Sequence, residues 1–388
     1  MQTEARTKVR DDSKSLEMAR TYLRDNFELR KKLGISETAE LVPRPLGMGE
    51  HNLNYWFEAE SEFGIGKDTF GQATGAENLP NDTSPNRNRK YVLRINVVSQ
   101  PFHINQVAYE FAALSALAPS GCTPLPYYLD ARESAPAKGA MVISFCEGNE
   151  LDFDHLQPND LQHAASLMAN AHSVPVSDEC PLYRPENPLR SLFEECINRF
   201  EAYQSSAAEN PRITKWGLTF ISQAEKYLGI PSYPQDCTHI INTEPLPSHF
   251  LIPSSAGKVR DSYRAHPGYF IDWERPIIGE VAQDLAYFTA PTTTFWDSDY
   301  LFPPSEVSDF VEGYWRAVAG RFPRGNFDER FKAFRAMTAL RSMTWCCRAL
   351  ITYGNYSNEH KTQKTVDKLP IYLSDAFIER VAAECFDL

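Results

Sequence analysis

Hydrophobic positions recur every three to four residues over 13–33, where Leu16, Ala19, Tyr22, Leu23 and Phe27 predict one amphipathic helix. The pattern then changes to short apolar runs. Leu41 to Leu46 and Leu53 to Phe57 flank Gly47-Met-Gly49 and predict a strand, a glycine turn and a second strand. Tyr91 to Ile95 and Met141 to Phe145 read as two further strands. Between them, Val107, Phe111, Leu114 and Leu117 form one stripe of a helix from Gln106 to Leu117. Residues 64–89 are rich in Gly, Asn, Asp, Thr and Pro, with almost no apolar residue after Phe70, and read as a long loop.

Beyond Gly148 the helical period dominates, over about 158–173, 188–206, 211–228, 281–289, 305–320, 327–352 and 373–385. Short strand signals at His239–Ile241, Phe250–Ile252 and Tyr269–Ile271 interrupt it. The shift predicts an α+β chain of two domains. Residues 1–148 would form a small antiparallel-sheet lobe of about five strands with one helix, and 149–388 a mainly helical lobe.

Composition narrows the function. Hydrophobic residues at 42% and charged residues at 23% are globular values. With 39 Lys and Arg against 51 Asp and Glu, the net charge is −12. Such a surface repels phosphate backbones and anionic lipid, so neither nucleic acid nor membrane is expected as a partner. No run approaches the ~18 apolar residues of a spanning helix, and the first residues are polar with no apolar core behind them, which predicts a cytoplasmic chain. Eight cysteines without C-x-x-C spacing predict free thiols rather than zinc ligands.

Several residues carry candidate chemistry. Gly47 and Gly49, in Gly-Met-Gly-Glu-His-Asn-Leu-Asn54, would let backbone N–H groups approach phosphate oxygens, although an ordinary hairpin turn has the same composition. Arg94 interrupts an apolar strand and demands a partner; Glu110, sixteen residues on, is the first acid after it. Glu244 and His249 share a polar loop between two apolar stubs, a spacing that suits a proton acceptor and a metal-holding group. In Gly-Tyr-Phe-Ile-Asp272-Trp-Glu274-Arg, an apolar strand ends on a carboxylate, a hard ligand suited to Mg²⁺. Asp284 opens the next helix, as a helix-capping acid or a member of the site. His172 ends the 158–173 helix and reads as structural. Glu150, Asp152 and Asp154 follow the domain boundary, as a solvated rim or as a contact for a cationic ligand.

The succession strand–Asp272–Trp–Glu274, Gly279, Asp284-Leu-Ala resembles the signature of the aminoglycoside phosphotransferase and choline kinase-like family. The resemblance covers roughly residues 40–345 and implies a bilobal protein-kinase-like fold. It implies ATP and Mg²⁺ as cofactors, with Gly47, Gly49, Asn54, Arg94 and Glu110 at the phosphates and the Ser144–Gly148 segment, including Cys146, at the adenine. Glu244, His249 and Asp272 would be catalytic, Asp272 and His249 would hold the metal, and Asp152, Asp154 and Glu274 would meet the substrate. The family's usual His-Gly-Asp, with Asn five residues after the Asp, is here Asn242-Thr243-Glu244 with His249. Two functions follow. One is phosphoryl transfer from ATP to a hydroxyl of a small molecule, for which the acidic balance favours a cationic or polar hydroxylated acceptor. The alternative is a weak or inactive kinase-like protein that binds nucleotide or a partner as a module.

Overall fold

A computed structural model describes residues 12–48, 52–60, 88–97, 105–133, 137–231, 238–253, 268–355 and 363–388. The chain divides into two compact units, Met1–Glu147 and Gly148–Leu388.

The first unit begins with α1 (Asp12–Asp25) and α2 (Phe27–Leu33). The single helix expected over 13–33 is two, because the Asn26 side chain accepts from the Leu29 N–H at 3.0 Å and caps a new helix. Gly34, at φ +65°, ends it in the left-handed conformation. The sheet comprises β1 (Arg44–Met48), β2 (Asn52–Glu60) and β3 (Asn88–Asn96), then β4 (Pro126–Asp130) and β5 (Ala140–Ser144) after α3 (Gln106–Leu117). Its strand order is β1-β2-β3-β5-β4, all antiparallel. The core is Leu23, Leu29, Phe57, Tyr91 and Leu93, all fully buried.

Three expectations change here. The predicted loop 64–89 ends earlier, since Asn88 and Arg89 already pair with Glu60 and Ala59 in β3; the rest of it that precedes Asn88 lies outside the described residues. Gly47 is not in the turn but in β1, where the register slips between Pro45 and Gly47, whereas Gly49 lies outside the described residues. β4 was not singled out in the sequence; Pro126 and Asp130 are residue types depleted in strands, yet both fall at its termini, where proline is tolerated.

The second unit comprises β6 (Asn149–Glu150), α4 (Asp160–His172), α5 (Pro188–Gln204), α6 (Pro211–Glu225), β7 (His239–Ile241), β8 (Phe250–Ile252), β9 (Tyr269–Phe270), β10 (Ile277–Gly279), α7 (Val281–Thr289), α8 (Pro291–Asp297), α9 (Pro304–Val318), α10 (Phe327–Asn355), α11 (Gln363–Tyr372) and α12 (Asp375–Phe386). Asn187-Pro188 and Asn210-Pro211 start α5 and α6. Each asparagine accepts an N–H of the first turn, and each proline takes a position whose N–H would be unpaired anyway. Two small antiparallel sheets, β6-β8-β9 and β7-β10, hold the loops of interest. α7 begins at Glu280, whose carboxylate forms a buried pair with Arg330 of α10, the Nε contact being 2.6 Å. That pair fixes where α7 starts and therefore where Asp284, one turn in, is presented. Among the described residues, no helix is long and apolar enough to cross a membrane.

Candidate active site

In the first unit, Arg94 sits on β3, the central strand, and only 9% of it is exposed. A guanidinium there must be paired. Its Nε donates to Glu110 Oε2 of α3 at 3.0 Å, and Nη1 donates to Asn54 Oδ1 of β2 at 3.3 Å. Asn54 lies directly across from Arg94 in the β2–β3 register. The sequence-predicted trio therefore stands together. In the segment that ends this unit, the Ser144 N–H donates to Leu125 O, and its hydroxyl oxygen accepts from the Leu125 N–H. The Phe145 N–H donates to Lys90 O. The Ser144 groups predicted for adenine are thus engaged in the sheet, and Cys146 is the next residue along. Burial pushes its thiol up to about 12, so it is an inert donor, not a nucleophile.

The second unit builds its loop around Asp284. β7 ends at Ile241, and the chain turns through Asn242 and Thr243, whose N–H groups donate to Asp284 Oδ2 and Oδ1, both at 2.7 Å. His172 Nε2 lies 3.2 Å from Oδ2, and its Nδ1 is 3.0 Å from the Tyr314 hydroxyl. With Nε2–H donating to the carboxylate, Nδ1 accepts from Tyr314. Asp284 and His172 are fully buried. Asp284 is therefore no helix cap: no side-chain cap bond exists at the start of α7, and the carboxylate grips the loop instead. Thr243 sits at φ +76°, a left-handed conformation that is an outlier for a β-branched residue. Two bonds hold it there, one from its N–H to Asp284 and another from its hydroxyl to Arg275 O at 3.1 Å.

Asn242 ties this loop to the next. Its Nδ2 donates to Asp272 O at 2.8 Å, and its Oδ1 accepts from the Glu244 N–H. Asp272 follows β9 at φ +63°, tolerable for Asp, and its side chain is 37% exposed. His249 Nε2 lies 3.3 Å from Asp272 Oδ2, and its Nδ1 accepts from the Leu246 N–H. An Nδ1 that accepts leaves the ring proton on Nε2, facing the carboxylate. In that tautomer the ring orients the Asp272 carboxylate. Among the described residues no group of three or more His, Cys, Asp or Glu is placed to hold a metal. Asp272 alone still fits Mg²⁺, which commonly takes one carboxylate together with substrate phosphates and water.

Glu244 has partners the sequence did not reveal. Its Oε1 accepts from Arg275 Nη1 at 3.1 Å and from Arg341 Nη2 of α10 at 2.7 Å. Burial alone would raise this carboxyl, but Arg341 and then Arg275 outweigh it and hold it at about 2. Arg275 is the residue after Glu274, so its loop could have flagged it. Arg341 gave a fainter signal, a lone cation in the apolar run Ala-Leu-Arg-Ser-Met. Glu274, half-buried, shares the β9–β10 connection with Asp272 and Arg275. Asp152 and Asp154 are not joined to this group. Asp152 Oδ1 accepts from the Asp154 N–H, Oδ2 meets His155 Nδ1 at 2.7 Å, and no bond among the described residues reaches Glu244.

His239, at the start of β7, gives a pH prediction. It is 7% exposed, and its Nε2 has no partner among the described residues. Burial first, and the nearby His172 second, lower it from about 6.5 to about 4. The unfolded chain then takes up its proton first as the pH falls. Stability should be full above 6.5 and drop by on the order of 3 kcal/mol between pH 6.5 and 4. Denaturant melts across that window should show the slope, and His239→Phe should flatten it.

No family model matches the chain, and no curated protein matches it by sequence. Solved structures do. A spectinomycin phosphotransferase, in complex with ADP and spectinomycin, aligns at 12% identity over 94% of this chain and 98% of its own, with a TM-score of 0.57. The ethanolamine kinase of Plasmodium vivax aligns at 14% identity over 96% and 92%, with a TM-score of 0.57. A microcompartment-associated aminopropanol kinase aligns at 12% identity over 95% of each chain, with a TM-score of 0.55. Likeness at such identities is likeness of fold, and it spans nearly the whole of each chain. The chain has the α+β, protein-kinase-like fold of the aminoglycoside phosphotransferases and the choline and ethanolamine kinases.

Proposed function

We propose that this chain is an ATP- and Mg²⁺-dependent phosphotransferase acting on a hydroxyl of a small molecule. The observation that carries the reading is the loop constellation: Asp284, fully buried, clamps Asn242 and Thr243, so that Glu244 and Asp272 are held on one hydrogen-bonded framework. Likeness to small-molecule kinases over most of the chain supports it.

In the reaction, the acceptor oxygen attacks the γ-phosphorus of ATP, the bond from that phosphorus to the β–γ bridging oxygen breaks, and ADP leaves. Glu244 orients the hydroxyl and accepts its proton. A carboxyl held at about 2 is a weak proton sink, which suits a loose transition state in which the proton moves late and positioning outweighs basicity. Mg²⁺, when bound, would neutralise developing phosphate charge, with Asp272 as its protein ligand and His249 fixing that carboxylate. Arg94, set by Glu110 and Asn54, would hold the phosphates, beside the backbone of Gly47 and Gly49, and the backbone around Cys146 would hold adenine. The molecule acts in the cytoplasm on this reading.

One observation favours the alternative of a nucleotide-binding module with little turnover: both arginines of the Glu244 pair bond the same oxygen. ATP consumption with a pool of hydroxylated metabolites separates the two. Wild type should consume ATP, and Glu244→Gln should do so at least about 10²-fold more slowly. Equal rates would remove Glu244 from the reaction, and no consumption with any acceptor would leave the module.

A further inference from the structure

We propose that Arg199, Arg341 and Arg348, beside Glu244, form an anion site that holds a carboxylate or phosphate group of the acceptor. The role of that anion in an acceptor rests on the phosphotransfer reading; the site itself does not.

α5 carries Glu195 and Arg199 four residues apart, and α10 carries Arg341 and Arg348 seven apart, so each pair shares a helix face. Arg341 bridges two acids: its Nε lies 3.5 Å from Glu195 Oε1, and its Nη2 donates to Glu244 at 2.7 Å. Arg199 pairs with the same Glu195 oxygen, and Arg275 with the same Glu244 oxygen. Three arginines meet two glutamates, and Arg348 adds a like charge that acts on Arg199, so four positive charges stand against these two negative ones in a chain of net charge −12.

Water does little to relieve that excess, since the Arg199 and Arg341 side chains are 18% and 13% exposed. Burial lowers Arg199 from its ordinary range, Glu195 opposes this, and the like charges of Arg341 and Arg348 lower it further. Arg348 is exposed, and its guanidinium makes no hydrogen bond or ion pair among the described residues. Planar guanidinium forks match carboxylate and phosphate geometry. A cationic group would be repelled here. Because Arg341 touches the carboxylate proposed to orient the hydroxyl, the anion and the hydroxyl belong to one small molecule. The cationic acceptor expected from Asp152 and Asp154 finds no such link to Glu244.

Inorganic phosphate titrated into the full chain, against sodium chloride at matched ionic strength and in saturating ADP, tests the site by thermal shift. Phosphate should raise the melting temperature saturably, and Arg348→Gln and Arg199→Gln should each weaken it at least about tenfold. A response equal to that of chloride, one abolished by ADP, or one unchanged in both variants would overturn the proposal. ATP consumption is then compared between hydroxycarboxylates with sugar phosphates and amino alcohols with amino sugars. Turnover with the anionic pool alone supports the site in its acceptor role. Turnover with the cationic pool alone overturns it and leaves phosphotransfer standing. If neither pool is consumed, the acceptor role falls with the phosphotransfer reading, and the anion site is decided by the phosphate titration.

Discussion

Asp284→Ala should destabilise the chain by about 3–5 kcal/mol, the cost of breaking a fully buried charged network. The carboxylate accepts from the N–H groups of Asn242 and Thr243 and faces His172 Nε2, so its loss strands three buried polar groups in one step. At roughly 2–4 °C per kcal/mol for a unit of this size, the melting temperature should fall by about 10 °C. Asp284→Asn restores size but not the pattern, because an amide brings a donor to a place where every neighbour already donates. The exposed Asp375, paired with Arg212 at the surface, is the control. Its replacement by Ala should cost no more than ~1 kcal/mol. Thermal or denaturant melts of the three variants check the ranking, and an Asp284→Ala that melts with wild type would show that the clamp is not what holds the loop. Thr243 makes a second readout possible: without Asp284 its left-handed backbone has only the hydroxyl bond to Arg275 O to hold it.

Asp272→Asn should lower turnover at least about 10³-fold while leaving the melting temperature within a few degrees of wild type. Asparagine suits the backbone, since it tolerates φ near +63° at least as well as aspartate does, whereas alanine would add strain. The Asp272 side chain is over a third exposed, so its charge contributes little to stability. Removing the charge removes the only carboxylate proposed for Mg²⁺. Steady-state rates with saturating acceptor and ATP measure the loss, and a variant that retains most of its rate would mean that Asp272 holds no metal needed for transfer.

The α+β class and the order of elements were legible because hydrophobic period and strand runs report burial directly. Asp272 was legible too, as a carboxylate ending an apolar strand, and so was Arg94, because a buried cation needs a partner and Glu110 was the first acid after it in sequence. What escaped was non-local. Nothing in Asp284-Leu-Ala says that its carboxylate reaches back 42 residues to Asn242, and Arg341 lies 97 residues from Glu244. Single-residue events also escaped, such as the asparagine that splits the first helix and the register slip that draws Gly47 into β1. His249 shows the limit from the other side. Spacing singled out the loop, but not the Leu246 N–H that His249 Nδ1 accepts, which sets how the ring faces Asp272.

Calorimetric titration of ATP, with and without Mg²⁺, into wild type and Asp272→Asn tests the central claim most directly. Wild type should bind ATP more tightly with Mg²⁺ than in EDTA. It should bind Mg²⁺ alone only weakly, because among the described residues no group of three or more His, Cys, Asp or Glu is placed to hold it. Asp272→Asn should keep the metal-free affinity and lose the Mg²⁺-dependent gain. Wild-type ATP affinity indifferent to Mg²⁺, or a variant that gains from Mg²⁺ as wild type does, would contradict the account.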